Sequence, residues 1–254
     1  MANTISKKML KRVKQTIHWL TPEDVMDIYN ASITKNTNFI KVDRPTDRYN
    51  NKSKYNVYIW LEPLNMYVQL RLRLNYERTF GRTYEDKFKS KYPNKSKISF
   101  QMNGDTLLTK CICVLTSEIE KQIQALESNS VVIYLPFTRP ESSTDPKIFR
   151  ANILAKYNDC THITTSIFTN GLLYRGDITN RELRNLMPDN SFVSCDIEMF
   201  QIFEFHNPSC NPFALVASAT KIDIFSEDLE PFAEKIDELE LNISYASNSS
   251  GIEV

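Results

Sequence analysis

Residues 54–74 (KYNVYIWLEPLNMYVQLRLRL) bring together two kinds of side chain that can act on one ligand. Tyr58, Trp60 and Tyr67 are flat rings able to stack on unpaired bases, and Lys54, Arg71 and Arg73 are cations able to hold phosphates. They share one parity of two period-2 runs that flank the turn Glu62-Pro63-Leu64-Asn65. The other parity is apolar: Tyr55, Val57, Ile59 and Leu61 in the first run, then Met66, Val68, Leu70, Leu72 and Leu74 in the second. Side chains alternate faces along a strand, so the pattern predicts an antiparallel hairpin with one core-facing side. Symmetric closure of the turn places Trp60 opposite Tyr67 and Lys54 opposite Arg73. The only local carboxylate is Glu62, at the turn. A sheet whose second face is covered by another layer fits the same pattern.

More cations flank this stretch. Lys52 lies in the polar segment 44–54, next to Lys54. Residues 75–94 carry Tyr76, Phe80, Tyr84, Phe88 and Tyr92, with Arg78, Arg82, Lys87, Lys89 and Lys91 between them. Lys87, Lys89 and Lys91 form a second basic bank. The four-residue ring spacing also fits a helical stripe facing the core, although Gly81 weakens such a helix.

Other chemistries find less support. Cys111-x-Cys113, Cys160-x-His162 and His206-x3-Cys210 are close pairs, but none has the Cys-x2-Cys spacing of a zinc site. His18, His162 and His206 are the only histidines, and no signature of a Cys–His nucleophile surrounds them. There is no Gly-rich phosphate loop, no His-Glu-x-x-His and no paired acidic metal motif. The expectation is a protein without metal, cofactor or catalytic residues, and not an enzyme.

The whole chain narrows the class further. Its 254 residues suffice for one large domain or two small ones. Net charge is zero, but it is unevenly spread. Residues 1–100 hold 20 Lys and Arg against 9 Asp and Glu; residues 201–254 hold 2 against 10. A basic front suits a polyanion, and an acidic end suits recruitment or competition. No apolar run reaches membrane-span length, and the first residues lack the apolar core of a secretion signal. Five cysteines without a framework spacing fit reduced thiols. An intracellular protein is therefore expected, with no membrane partner.

The elements that position these residues follow from pattern. Residues 5–20 read as a basic amphipathic helix. Thr21-Pro22-Glu23-Asp24 opens a second helix, to about residue 31, with Thr21 as N-cap. Strands are predicted over 38–42, 97–103, 106–115, 130–137, 148–154, 192–205 and 213–225. The strand 106–115 is apolar on both faces and reads as central. Helices are predicted over 117–127, from a capping box at Ser117 and Glu120, and over 180–187. Residues 138–145 read as a loop, and 158–173 are ambiguous. An amphipathic helix fits the acidic segment from Ser226.

The order of residues 171–241 resembles the single-stranded DNA-binding proteins of the T7-like phage type, with relatives in large DNA viruses. Pro188-Asp189-Asn190-Ser191 stands at the family's turn, without its glycine. VSCDIEMFQIFEF and ALVASATKIDIF stand as the two strands, and Glu227, Asp228, Glu230, Glu234, Asp237, Glu238 and Glu240 as the acids. The resemblance covers about a quarter of the chain. It implies an oligonucleotide-binding barrel with nucleic acid in a basic aromatic cleft. It also implies a tail that contacts partners, such as replication proteins, or shields the cleft.

The combined expectation is a mainly β (α+β) fold with peripheral helices around a partly open, OB-fold-like five-stranded barrel. Residues 1–34 form a basic arm, 35–226 the nucleic-acid-binding domain and 227–254 the acidic tail. The expected partner is single-stranded nucleic acid, bound without base preference in viral DNA replication or recombination, in the cytoplasm or nucleus of a host cell. Tyr58, Trp60 and Tyr67 would stack; Lys52, Lys54, Arg71, Arg73, Lys87, Lys89 and Lys91 would hold phosphates. The choice between DNA and RNA stays open, as does homo-oligomerisation. The alternative is a viral coat protein or RNA-binding nucleoprotein that assembles through the same sheet.

Overall fold

Two 13-residue strands, β13 (Phe192–Glu204) and β14 (Phe213–Phe225), form the spine of the molecule. They pair antiparallel from Phe192↔Phe225 to Glu204↔Phe213, with register shifts at Asp196/Ile197 and Glu198/Gln201. One parity of β13 (Val193, Cys195, Ile197, Met199) is buried, which fixes which face of the sheet meets the core. The computed structural model describes residues 17–45, 54–80, 84–85, 96–127, 132–137, 147–156, 162–174, 176, 178–205 and 212–225. The basic segment 5–16, Lys52, Lys87, Lys89, Lys91, Cys160, His206, Cys210, the loop 138–145 and the acidic tail 227–254 lie outside the described residues.

The remaining strands line the edges of this spine. They are β1 (Ile40–Asp43), β2 (Tyr55–Leu61), β3 (Met66–Gln69), β4 (Arg71–Arg78), β5 (Tyr84–Glu85) and β6 (Ser96–Met102). There follow β7 (Ile133–Tyr134), β8 (Lys147–Ile153), β9 (His162–Ile163), β10 (Ser166–Thr169), β11 (Leu172–Leu173) and β12 (Ile178–Thr179). Twelve of them make one sheet whose main path runs β1-β2-β13-β14-β8-β6-β5 without closing on itself; β9 and β12 pair separately. The fold is mainly β with peripheral helices: α1 (Pro22–Lys35), α2 (Leu107–Leu126) and α3 (Asn180–Leu186).

Local sequence explains the helix starts. Thr21 and Asp24 exchange the reciprocal bonds of a capping box at α1, and Thr179 and Glu182 do so at α3. Pro22 sits in the first turn of α1, where its missing N–H costs nothing. The helix then runs four residues past the expected end, to a left-handed Asn36. Gln122 of α2 reaches β1, where its side-chain oxygen accepts the Val42 N–H at 2.7 Å and its amide donates to the Ile40 carbonyl.

Two sequence expectations are corrected. Residues 106–115 are not a central strand. They open a single 20-residue helix, capped by Thr106, that also absorbs the predicted helix 117–127. Its buried residues Leu108, Cys111, Ile112, Leu115, Ile119 and Ile123 recur every three or four positions. A ten-residue window of apolar residues reads equally as strand; the longer window does not. The rings of 75–94 do not form a helical stripe where described, since Tyr76 lies in β4 and Tyr84 in β5.

Candidate nucleic-acid interface

The β2–β3 hairpin closes as its sequence predicts. Trp60 pairs with Tyr67 and Tyr58 with Gln69, around a one-turn 3-10 segment ended by left-handed Asn65. The two rings meet edge to face, 5.1 Å between centroids. The Tyr67 hydroxyl donates to the Asn38 carbonyl at 2.8 Å, and the Trp60 backbone N–H donates to the Phe39 carbonyl at 2.8 Å, so the hairpin is held against the start of β1. Together with Ile28, Ala31, Lys35 and Phe39 the rings wall an open groove of about 540 Å³ beneath α1. Both rings are half-buried, as is Tyr58, whose register partner on β1 is Lys41. Lys35 and Glu62 form an ion pair, and both line the groove.

The second expected pairing, Lys54 with Arg73, does not form. The chain changes partner at Leu70: its N–H still donates to Val57 on β2, while its carbonyl accepts from Met199 on β13. From Arg71 onward the strand runs along β13, with Arg71↔Glu198 and Arg73↔Asp196 in register. Fully buried Leu70, Leu72 and Leu74 continue the core face, so the polar parity of β4 lies beside the polar parity of β13.

Each described cation of the predicted set therefore meets a carboxylate far away in sequence. Arg73 makes a bidentate pair with Asp196, Nε to Oδ1 at 2.7 Å and Nη2 to Oδ2 at 3.0 Å, and also lies over the Trp19 ring. Those bonds raise its already high pKa. Arg71 donates from Nε to Glu198 at 3.0 Å and from Nη2 to Gln69 at 2.8 Å, with its guanidinium 4.8 Å from the Phe200 ring centre. Lys54 sits 3.0 Å from Glu204 and 3.5 Å from Glu127. Burial pulls the Lys54 ammonium down, but the Glu204 bond and the two carboxylate charges carry it above its ordinary value. Glu127 is held below its ordinary range, first by the Tyr55 hydroxyl and then, against some burial, by Lys54.

A second ring cluster stands at the far end of β4 and was not singled out from sequence as a unit. Leu74 pairs with Cys195 and Glu77 with Val193, so Asn75 and Tyr76 together oppose Ser194, a β-bulge. Tyr76 takes φ 52°, a left-handed conformation costing of order 1–2 kcal/mol for an L-residue, and its N–H donates to Ser194 Oγ at 3.1 Å. Strict alternation would turn Tyr76 toward the core with Leu72 and Leu74. The bulge leaves it 46% exposed, stacked on Phe192 at 4.7 Å and 11° and touching Phe225. Arg78 lies 5.9 Å from the Phe192 ring centre. The same slip makes Glu77 half-buried, where burial and the charge of Glu23 push its carboxyl above the ordinary range. No local signal announces this cluster, because Phe192 and Phe225 join Tyr76 only through long-range pairing.

The remaining candidates are bland. Among the described residues no group of three or more His, Cys, Asp and Glu side chains could hold a metal ion. Cys111 is buried in α2 with its thiol pushed up to about 12, and burial pushes Cys195 higher still. Among the described residues no helix is long and apolar enough to cross a membrane.

No protein-family model matches the chain, and a search of curated proteins finds no match. Among solved structures, the chain is similar to the single-stranded DNA-binding protein from bacteriophage Enc34 in complex with ssDNA. That likeness has 12% identity and a TM-score of 0.43, over 76% of this chain and 98% of that one. A C-terminal truncation of the same phage protein matches at 12% identity and a TM-score of 0.39, over 74% and 96%. A further structure of that protein matches at 11% identity and a TM-score of 0.38, over 72% and 89%.

Proposed function

We propose that this protein binds single-stranded nucleic acid without base preference, stacking bases on rings and holding phosphates with cations. The observation that carries the reading is the Trp60–Tyr67 pair, set edge to face on the wall of an open groove. Every base has a π-face, so such a wall is indifferent to sequence. The charge distribution supports the same ligand, since the first hundred residues carry 20 Lys and Arg against 9 Asp and Glu. Tyr58 extends the ring wall. Arg71 and Arg73 exchange Glu198 and Asp196 for phosphates, and Lys52, Lys54, Lys87, Lys89 and Lys91 add basic contacts. The division into a basic arm 1–34, a binding domain 35–226 and an acidic tail 227–254 belongs to this proposal. So do the T7-like family, an OB-type barrel, and service in viral DNA replication or recombination with replication proteins at the tail.

Titration with poly(dT) at two salt concentrations, read by tryptophan fluorescence, tests it. Stacking quenches Trp60, and added salt reverses the quench by weakening phosphate contacts. Trp60→Ala should weaken binding to all sequences alike, by roughly 1–3 kcal/mol. Equal affinity of the parent and Trp60→Ala, or binding confined to duplex, sinks the reading. Competition between single-stranded DNA and RNA decides the sugar. A second reading, a nucleoprotein that self-associates, draws on Leu172 and Leu173, which stand exposed on β11. Size-exclusion mass with and without oligonucleotide separates the two, because assembly alone needs no ligand.

A further inference from the structure

We propose that Tyr76, stacked on Phe192 and flanked by Arg78, is a second base-stacking position, so that one strand of nucleic acid follows β3 and β4 from Trp60–Tyr67 to Tyr76–Phe192. The inference rests on the single-strand reading above and gives it a path and a length. Three features single out Tyr76. It is a large ring left 46% exposed at the end of a sheet, although it touches Phe225. Its backbone is left-handed, which a tyrosine adopts only when its surroundings impose it, and the Ser194 hydroxyl and the bulge do so. It lies parallel to Phe192, so the pair presents a flat stack rather than an edge. Beside it, Arg78 makes no ion pair among the described residues, unlike Arg71 and Arg73.

The ground between the two ring sets carries two arginines for a phosphodiester backbone, each of which must first release a carboxylate. Arg71 over Phe200 and Arg73 over Trp19 stand between them on the same polar parity. Nine residue steps of largely extended chain lead from Tyr67 to Tyr76, at most about 30 Å at the rise of a strand. That is about nine nucleotides at 3.4 Å each, within the 4–16 typical of single-strand sites. A four-nucleotide ligand spans roughly 14 Å stacked, about half of that length.

The test compares (dT)16 with (dT)4 by fluorescence anisotropy on the full chain. Tyr76→Asn removes the ring while supplying a residue that tolerates left-handed backbone, so the variant should stay folded. It should bind (dT)16 roughly 5- to 150-fold more weakly, the equivalent of 1–3 kcal/mol for one stacked base, and lose much of the advantage of (dT)16 over (dT)4. Tyr76→Phe, which keeps a ring, should lose less affinity than Tyr76→Asn. Arg78→Gln should flatten the log–log salt slope by about 0.7. In the unaltered protein, iododeoxyuridine-substituted (dT)16 should crosslink to Tyr76. Parent-like affinity of Tyr76→Asn for (dT)16, or crosslinks confined to Trp60 and Tyr67, overturns the second position. If Trp60→Ala is weakened while Tyr76→Asn is not, the groove stands and the path fails; if neither is weakened, both fail.

Discussion

Neutralising Asp196 and Glu198 should make this protein bind nucleic acid more tightly while making it less stable. In the native sheet these carboxylates occupy the guanidinium groups of Arg73 and Arg71, and under the proposed function a phosphate must displace them. The pairs are only partly screened: Asp196 is 11% exposed and Arg71 15%, whereas Arg73 and Glu198 are more open at 44% and 30%. A part-exposed pair is worth about 1 kcal/mol. Removing that competition with Asp196→Asn or Glu198→Gln should raise affinity about fivefold each, so about 25-fold together. The salt slope should stay as it is, because both arginines hold phosphates in the parent complex as well. The reverse experiment is less clean, since Arg71→Ala leaves Glu198 unpaired on the surface and repels the ligand whether or not Arg71 ever touched it. Anisotropy of labelled (dT)16 across salt concentrations, alongside thermal melts, reads both effects. A double variant that melts lower yet binds with unchanged affinity would show that the arginines serve β13 alone.

Two other outcomes follow from titratable groups buried by the fold. Glu77 holds its proton more tightly in the folded chain than its ordinary value of 4.5 allows, because of burial and the charge of Glu23. The folded state then binds more protons than the unfolded one, so stability falls as pH rises from about 4.5 through the raised value. Glu77→Gln should therefore stabilise the protein at pH 7 and change little at pH 4, as denaturant melts at the two pH values will read. Cys111 and Cys195 are buried with thiols pushed up, so iodoacetamide at neutral pH should leave both unlabelled until denaturant is added. Mass spectrometry showing either one alkylated in the native state contradicts the packing.

Much of the frame is legible in residue order where the physics is local. The Trp60–Tyr67 register, the Thr21 cap and the strand β14 all rest on alternation, turn chemistry or capping within a few residues. The helix over 107–126 is missed because its first ten residues are apolar in every direction, and only the spacing from Leu108 to Ile123 reveals its period. The facing of Trp60 and Tyr67 at the candidate site is legible for the same local reason. Its electrostatics are not: counting nearby carboxylates finds only Glu62, whereas Asp196, Glu198 and Glu204 arrive over more than a hundred residues of chain. Nor is Tyr76, whose parity assigns it to the core until one extra residue in β4 turns it out.

The amide of Gln122 on β1 bears on how copies of this chain can meet. An outer strand with free N–H and C=O groups invites another strand to dock, the usual route by which sheets grow into fibres and shells. Here the outward donor of Val42 and the outward acceptor of Ile40 are both already taken by one side chain. Over Ile40–Val42 that flank is partly closed, and a copy docking there would first have to dislodge Gln122.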